Sequence, residues 1–251
     1  MELRGRNALI TGGAQRVGAA IVRVLAKAGA NVFIHYNSSG DAAHELAAEI
    51  RETGVAAHAG PADLSDPTCT PELIAAATEA LGAVSLLVNS ASIFPRDTLA
   101  DLTVDGLRET IDVSLTAPIF LTQAYAAALP SDTRGAVVNL SDSRTTSPYR
   151  QHFAYTIAKG GLDTFTRAAA TALGPQIRVN AVALGVVLPP AGHDDDYVNQ
   201  LAAALPLAAP GGAEPVAHAV QALLENDFIT GEIVRVDGGG HLTTATAAPD
   251  A

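Results

Sequence analysis

The chain has a single cysteine, Cys69, so no disulfide can form within it, which fits a reducing cytoplasm. Long apolar runs are also missing: none approaches the ~20 residues of a membrane span, and the N-terminal run is too short for a signal peptide. Basic residues are scarce, because 15 Lys and Arg stand against 26 Asp and Glu. The net charge of −11 argues against nucleic acids and anionic membranes as partners. We therefore expect a cytoplasmic protein that acts on a small molecule.

Hydrophobic residues are abundant, at 48% of 251 residues, which is enough for the core of one domain spanning residues 1–251. Short β-like runs alternate with longer helical ones along the chain. The strand-like runs are NALIT, NVFIHY, VSLLVNSAS, GAVVNLS, IRVNAVA and GEIVRVDGGG. Such alternation predicts an α/β fold, with a parallel sheet covered by helices on both faces.

Apolar residues at helical spacing predict helices between these strands. After the second strand comes an amphipathic segment with Asp41 as the expected N-cap and Gly54 as the expected C-cap. Residues 99–129 predict two helices, and Pro118 lies near the start of the second.

Two segments interrupt the regular pattern. Residues 186–213 are rich in Pro, Ala and Gly and predict a mobile insertion of the kind that covers a substrate, and residues 243–251 predict a flexible tail. The insertion contains HDDD at 193–196, but four consecutive residues cannot converge on one ion without an unusual backbone. Acidic residues at a helix start suit the helix dipole, so we expect no metal site.

Glycines cluster between the first strand and the first helix, in TGGAQRVG at residues 11–18. Glycine there lets the backbone approach a pyrophosphate, while the helix N-terminus offers free N–H groups. The spacing is not that of the common GxGxxG fingerprint, so this turn alone is weak support for a nucleotide site.

Four motifs together resemble the short-chain dehydrogenase/reductase family: the glycine turn, NSAS at 89–92, YxxxK at 155–159 and IRVNAV at 177–182. The resemblance covers nearly the whole chain. It implies a doubly wound Rossmann fold, a seven-stranded parallel sheet with a nicotinamide cofactor across the carboxyl ends of the strands. Gly12 and Gly18 match the family glycines, whereas Arg16 replaces the middle one.

The cofactor expected from the resemblance is NADP(H). An NAD enzyme usually has an acid at the end of the second strand, for the ribose hydroxyl, whereas this strand ends in neutral polar residues. Asp41 lies near the right distance but suits a helix cap better. The expected cofactor-binding residues are Gly12, Arg16, Val17, Gly18, His35, Tyr36, Asn37, Ser38, Ser39, Asp63, Leu64, Asn89, Ser90, Ala91, Tyr155, Lys159 and Gly185.

Tyr155 and Lys159 are four residues apart, so they share one face of a helix. A nearby ammonium favours tyrosinate and should lower the pKa of the phenol from about 10, which suits a proton donor near neutral pH. In the family such a lysine also holds the nicotinamide ribose, so we expect Tyr155 and Lys159 to be catalytic.

Asp142 stands thirteen residues before Tyr155, where the family normally has a serine. Either Ser141 or Ser143 could supply a hydroxyl if the strand end shifted by one residue. However, Asp142, Arg16, the His35-Tyr36 pair and the sequence Ala91-Ser92-Ile93-Phe94 together resemble the pteridine reductase branch. That branch implies Asp142 as a third catalytic residue beside Tyr155. The implied substrate-binding residues are Arg16, Ser92, Phe94, Asp142 and Tyr155, with Phe94 stacking a pterin against the nicotinamide.

Other positions depart from the family pattern. Ser114 replaces the asparagine of the family's NxxAP motif, which puts the usual proton relay through backbone and water in doubt. Ser90 and Ser92 change NNAG to NSAS, and Leu184 replaces the proline of the PG turn after the sixth strand.

Three functions remain open on the sequence. The first is NADPH-dependent reduction of a pterin or dihydrofolate, the second is reduction of a carbonyl such as a 3-oxoacyl thioester, and the third is nucleotide binding with little catalysis. The family also implies a homotetramer built through residues 99–129, residues 152–173 and the last strand. Ala158 and Ala168 to Ala170 would permit close approach of helices there.

Overall fold

The strands of the computed structural model, which describes residues 1–189 and 193–243, all belong to one sheet. They are β1 (Asn7–Ile10), β2 (Asn31–Tyr36), β3 (Ala57–Pro61), β4 (Val84–Asn89), β5 (Gly135–Asp142), β6 (Ile177–Leu184) and β7 (Ile233–Val236). Every pair is parallel, and the order is β3-β2-β1-β4-β5-β6-β7. The order reverses between β1 and β4, which is where such sheets bind ligands. The predicted doubly wound fold is confirmed.

Helices cover both faces of this sheet. They are α1 (Arg16–Lys27), α2 (Gly40–Arg51), α3 (Thr70–Leu81), α4 (Val104–Ile111), α5 (Ala117–Ala128), α6 (Phe153–Leu173), α7 (Asp195–Ala202) and α8 (Ala213–Glu225). Neighbouring strand residues point to opposite faces. Thus Ile10 and Leu86 pack with α1, α2 and α8, whereas Leu9 and Leu87 pack with α3, α5 and α6.

The third strand was not anticipated from the sequence. β3 reads AHAGP, without the run of branched residues that marks the other strands. It lies at the edge of the sheet and pairs only with β2. An edge strand tolerates a terminal proline such as Pro61, because that position needs no further ladder hydrogen bond.

The predicted caps of α2 are wrong. The helix begins at Gly40 with Ser39 at the N-cap, so Asp41 already lies in the first turn, where its charge suits the helix dipole. The helix ends at Arg51. Gly54 lies three residues later, at φ +93°, where its N–H group donates to the carbonyl of Arg51 and closes a further turn.

The two helices predicted over 99–129 are joined without a break. A π-helical turn, Asp112–Thr116, connects α4 directly to α5. Pro118 follows as the second residue of α5. Because proline lacks an N–H group and its ring crowds the carbonyl four residues earlier, a widened turn at this point accommodates it.

Among the described residues of segment 186–213, α7 is the one complete helix, and α8 begins at its last residue, Ala213. The side chain of Asp194 caps α7 by accepting the N–H of Tyr197 at 3.1 Å, and Asp195 and Asp196 follow in the first turn. The acidic run is therefore a helix start, as expected. Predictions for residues 190–192 and for the tail beyond Thr243 lie outside the described residues.

The alanines proposed for close helix contacts between subunits mostly face inward. Ala158, Ala169 and Ala170 are buried against the sheet of their own chain, and only Ala168 is exposed. The outward face of α6 carries Ile157, which is 46% exposed. Within residues 1–189 and 193–243, no helix has both the length and the apolar character to cross a membrane.

Candidate active site

The first turn after β1 lies against the loop that follows β4. The side-chain oxygen of Thr11 accepts the N–H groups of Ser90 and Ala91, both at 3.0 Å. A Cβ atom added at Gly18 would lie only 2.1 Å from the carbonyl oxygen of Gly12. Only glycine at residue 18 therefore allows the turn to close so tightly onto the start of α1.

A cleft of about 460 Å³ opens at this edge of the sheet. Most of the expected cofactor residues line it: Gly12, Arg16, Val17, Gly18, His35, Tyr36, Asn37, Ser38, Ser39, Asp63, Leu64, Ser90 and Ala91. Ser92, expected to bind substrate, lines it too. Ala14, Gln15, Ser65, Ile93, Glu109 and Val113 also line the cleft but were not predicted. The unpredicted residues neighbour predicted ones along the chain or come from α4 and the π-helical turn, for which no motif exists.

Asn89 and Gly185 do not line this cleft. The amide of Asn89 is buried and donates to Asn139 on the adjacent strand at 2.8 Å, so it joins β4 to β5. Gly185 follows β6 and lies so close to β7 that an added Cβ would be 2.5 Å from the Cα of Asp237. In this structure, therefore, Asn89 and Gly185 serve packing within the sheet.

His35 has a structural role at the cleft. Its Nδ1 accepts the N–H of Gly12 at 3.1 Å, and its Nε2 lies 3.0 Å from the carbonyl of Ala62, so Nε2 carries the hydrogen. Burial lowers the pKa of His35, which keeps the ring neutral. Both ring nitrogens of His35 therefore already have partners within the protein, although the residue lines the cleft as expected.

The end of β2 presents no carboxylate to the cleft. Asn37, Ser38 and Ser39 line it with neutral polar groups, whereas Asp41 points its exposed side chain from the first turn of α2 and is absent from the lining. Arg16 is the lining residue with a positive charge. This arrangement leaves room for an additional phosphate near the second strand.

Asp142, Tyr155 and Lys159 meet at the carboxyl end of β5. The hydroxyl of Tyr155 donates to the Asp142 carboxylate at 3.0 Å, and the backbone N–H of Arg144 donates to the same carboxylate at 2.7 Å. The ammonium of Lys159 donates to the carbonyl of Leu140 at 2.7 Å and lies 5.5 Å from the centre of the Tyr155 ring. The three side chains are almost fully buried.

Electrostatics in this group differ from the expectation for Tyr155. Burial and the charge of Asp142 raise the pKa of Tyr155 well above its usual value, so the predicted lowering of this pKa by Lys159 is wrong. The reason is geometric: the carboxylate contacts the phenol, whereas the ammonium is tied to a backbone carbonyl. Burial likewise raises the pKa of Asp142 and lowers that of Lys159 to about 8. Tyr155 therefore stays protonated, and Asp142 holds its proton more strongly than an exposed aspartate.

The neighbouring serines do not compete with Asp142. The hydroxyl of Ser141 donates to the buried carboxylate of Asp163 at 2.5 Å, about two helical turns along α6 from Tyr155. Ser143 is buried in the turn that follows β5. The residue that contacts Tyr155 is therefore Asp142, the residue that the family resemblance implied.

Phe94 lies beside Tyr155 with ring centres 4.6 Å apart and the planes nearly perpendicular. One face of Phe94 is covered by the imidazole of His152, stacked at 3.7 Å. His152 has φ +59° and its Nδ1 lies 2.7 Å from the carbonyl of Pro95. Phe94 is 42% exposed, so part of its side chain remains accessible. Nothing local in the sequence indicated His152, because its partner lies 58 residues away.

Arg16 adopts φ +54°, a backbone region that costs a non-glycine residue roughly 1–3 kcal/mol and that is commonest at functional sites. Its guanidinium donates to the carbonyl of Pro189 at 2.7 Å. Arg16 therefore links the glycine turn to the start of segment 186–213, consistent with a side chain that faces both the cofactor and the substrate regions.

Ser114 lies in the π-helical turn and is fully buried. Its hydroxyl is 3.0 Å from that of Ser92 and 3.5 Å from the N–H of Ile93. The hydroxyl thus supports the loop after β4. Among the described residues there is no group of three metal-ligating side chains.

Known proteins share the fold and much of the sequence of this chain. A family model described as Enoyl-(Acyl carrier protein) reductase matches residues 12–241. The crystal structure of FolM alternative dihydrofolate reductase 1 from Brucella canis, complexed with NADP, is 35% identical, with a TM-score of 0.92 over 100% of both chains.

Two further proteins are similar over almost their whole length. The crystal structure of a short chain dehydrogenase from Burkholderia cenocepacia J2315, in complex with NADP, is 32% identical, with a TM-score of 0.88 over 95% of this chain and 99% of that chain. L-rhamnose 1-dehydrogenase (NAD(P)(+)) from Sphingomonas sp. (strain SKA58) is 31% identical over 247 residues, or 94% of this chain and 96% of that protein.

Proposed function

Because the chain belongs to the short-chain dehydrogenase/reductase family of oxidoreductases, we propose that it is an NADPH-dependent reductase of a dihydropterin or a dihydrofolate. The observation that carries the proposal is the contact between the Asp142 carboxyl and the Tyr155 hydroxyl at 3.0 Å. A ketone needs one proton donor for one oxygen. A C=N bond within an aminopyrimidine ring lies among several nitrogens, and a carboxyl group can both donate to and accept from them.

The cleft residues fit NADPH. Gly12 and Gly18 allow close approach to the N-terminus of α1, whose N–H groups and positive dipole suit a pyrophosphate. Neutral residues at the end of β2, together with Arg16, suit a 2′-phosphate better than a free ribose hydroxyl. When bound, NADPH supplies the hydride for a ring carbon of the substrate. The Brucella and Burkholderia structures, both complexes with NADP, support this assignment.

In this proposal Tyr155 donates the proton that the reduced ring nitrogen needs. Its raised pKa keeps the hydroxyl protonated before the reaction. The ammonium of Lys159, 5.5 Å from the ring, stabilises the negative charge that develops on the phenol oxygen. Asp142 has a raised pKa and contacts the same oxygen, so it can return a proton to Tyr155. Phe94 lies beside Tyr155 and is partly exposed, which suits contact with a planar heterocycle.

A second candidate is reduction of a carbonyl, such as a 3-oxoacyl thioester. The Tyr155 and Lys159 pair would serve that chemistry equally well, and the matching family model and the rhamnose dehydrogenase have names that point to substrates other than pterins. The experiment that separates the candidates is NADPH oxidation measured side by side with dihydrobiopterin, dihydrofolate and an acetoacetyl thioester. Turnover of the thioester alone would refute the pterin proposal, and turnover of none would favour simple nucleotide binding.

Substitution of Asp142 tests the residue that carries the proposal. Asp142→Ser restores the family hydroxyl, so it should lower turnover of the pterin substrates while carbonyl reduction is equal or improved. Asp142→Asn keeps the size but cannot exchange a proton, so it should reduce pterin turnover at least as much, by about 10²-fold or more. Equal effects on all substrates, with lower stability, would show instead that Asp142 only caps the turn through the N–H of Arg144.

We also propose that the protein is a homotetramer, as the family resemblance implies. The outward face of α6 combines the exposed Ile157 with two small exposed residues, Thr164 and Ala168, so another helix can approach closely. Ile157→Glu should therefore lower the mass measured by light scattering at micromolar concentration, whereas Ala48→Glu, on the exposed side of α2, should not. A monomeric parent protein would contradict the proposal.

A further inference from the structure

We propose that Tyr149 is a proton-relay residue, which returns a proton from solvent to the Asp142–Tyr155 pair after each turnover. The inference rests on the proposed function, because it concerns how the proton donor of that reaction is restored. Tyr149 matches none of the motifs, and it lies in the loop between β5 and α6.

Two phenols share the Asp142 carboxylate. Tyr155 donates to Oδ2 at 3.0 Å, and the hydroxyl of Tyr149 lies 3.4 Å from both Oδ1 and Oδ2. Burial and the charge of Asp142 raise the pKa of Tyr149, so its hydroxyl is protonated and faces the carboxylate as a donor. The Asp142 carboxylate thus contacts two proton donors, Tyr149 and Tyr155, and Tyr155 is the one proposed to protonate the substrate.

The positions of the two phenols differ in their access to water. Tyr155 is 9% exposed and Asp142 is 7% exposed, whereas Tyr149 is only partly buried. The Tyr149 ring is held by the guanidinium of Arg144, 5.0 Å from the ring centre, and by the edge of Phe94 at 6.0 Å. Tyr149 therefore contacts the buried carboxylate through its hydroxyl while other atoms of the residue are exposed to solvent.

A second route for protons would pass through Lys159 to solvent. Among the described residues, no further hydrogen-bonding side chain continues this route beyond Lys159. The Lys159 ammonium is committed to the carbonyl of Leu140 at 2.7 Å. The hydroxyl of Ser114, at the position where the family has asparagine, is used by Ser92 and the N–H of Ile93. Because the serine side chain is shorter than asparagine and is bound to the loop after β4, Ser114 does not extend a chain of hydrogen bonds from Lys159 to solvent.

The proton balance of the reaction requires such a route. Reduction of one C=N bond uses a hydride, which carries both electrons from NADPH, and one proton, which comes from the Tyr155 hydroxyl. The Tyr155 oxygen regains a proton from the Asp142 carboxyl. The Asp142 carboxylate then takes the Tyr149 proton while Tyr149 takes one from hydronium or a buffer acid, so each turnover consumes one solvent proton and leaves all three side chains as they began.

Several charged and titratable groups surround this path. Lys159 and Asp163 lie on α6, Arg144 lies beside Tyr149, and Tyr197 on α7 is close enough to Tyr149 to raise its pKa. None of them is within hydrogen-bond distance of the Asp142 carboxylate through its side chain. Tyr197, whose ring stacks on His193, is therefore the matched phenol for a control.

The test is Tyr149→Phe, which keeps the ring between Arg144 and Phe94 and removes only the hydroxyl. With dihydrobiopterin or dihydrofolate we expect kcat to fall by about 10²-fold, with KM and the Kd of NADPH unchanged. The first turnover should remain fast, the solvent isotope effect on kcat should rise, and a small buffer acid such as imidazolium should restore part of the rate. Tyr197→Phe should show none of these changes.

A readout without turnover separates this inference from the proposed function. Carboxyl carbon NMR of the cofactor-free protein, with Asp142 assigned through Asp142→Asn, should show a higher Asp142 pKa in Tyr149→Phe, because the carboxylate loses a donor. Wild-type kcat in Tyr149→Phe, or a loss that buffer acids do not restore, would overturn the relay. Absence of pterin turnover in the parent protein would instead refute the proposed function, and an unshifted Asp142 would show that the contact itself is wrong.

Discussion

Gly18 is the position where we expect one added methyl group to damage cofactor binding most. A Cβ there would lie 2.1 Å from the carbonyl oxygen of Gly12 and 3.0 Å from the Cα of Gly13, and all of these atoms are backbone. Ordinary contacts begin at 3.4 Å, so the turn must open by about 1.3 Å. Because no flexible side chain lies at this contact, the backbone itself must move. The movement displaces the N–H groups that are expected to bind the pyrophosphate.

The magnitude follows from two opposing effects. Overpacking of this kind costs about 1–3 kcal/mol, while replacing glycine by alanine in a helix returns about 1 kcal/mol. The free energy of unfolding of Gly18→Ala should therefore fall by about 0–2 kcal/mol. The Kd of NADPH should rise by about 10²-fold, which is about 2.8 kcal/mol of binding free energy, because misplacement of a group by about 1 Å costs about that much.

The assay is a fluorescence titration with NADPH, together with urea unfolding of the same samples. Gly160→Ala is the matched control: it makes the same exchange inside α6, where no heavy atom lies within 4 Å of the added Cβ. We expect the control to bind NADPH like the parent protein and to gain up to about 1 kcal/mol in stability. Parent-like affinity in Gly18→Ala would refute the assignment of this turn to the cofactor.

Two further predictions concern stability. Burial lowers the pKa of His35, so below pH about 6.5 the unfolded chain binds a proton at this residue and the folded protein does not. The free energy of unfolding should therefore fall with decreasing pH by up to about 1.4 kcal/mol per pH unit. In urea unfolding between pH about 7 and about 5, His35→Gln should show a shallower decline. Arg178 donates to the carbonyls of Leu223 and Leu224 at 2.7 Å each and so closes the end of α8. Arg178→Met should cost about 2–4 kcal/mol in urea unfolding, whereas Arg167→Met, which loses only a 3.5 Å contact within its own helix, should cost little; equal losses would contradict the capping role.

The local pattern of the sequence was sufficient for most of the fold and for part of the site. Strand-like runs alternating with amphipathic helices predicted the parallel sheet, because periodicity is a property of neighbouring residues. The glycine turn and the spacing of Tyr155 and Lys159 are equally local, since four residues make one helical turn. β3 escaped prediction because an edge strand with one neighbour does not need branched residues on both faces.

Contacts between distant segments were decided only by the tertiary structure. Ser141 and Asp142 are adjacent in sequence, yet α6 packs on β5 so that Ser141 forms a hydrogen bond with Asp163 and Asp142 forms one with Tyr155. The same packing sets Asp142 nearer to the Tyr155 hydroxyl than Lys159 is, which reverses the predicted direction of the Tyr155 pKa shift. A sequence shows which ionisable groups a chain contains, but a pKa depends on their distances and their access to water, and both arise only when the helices and the sheet pack together.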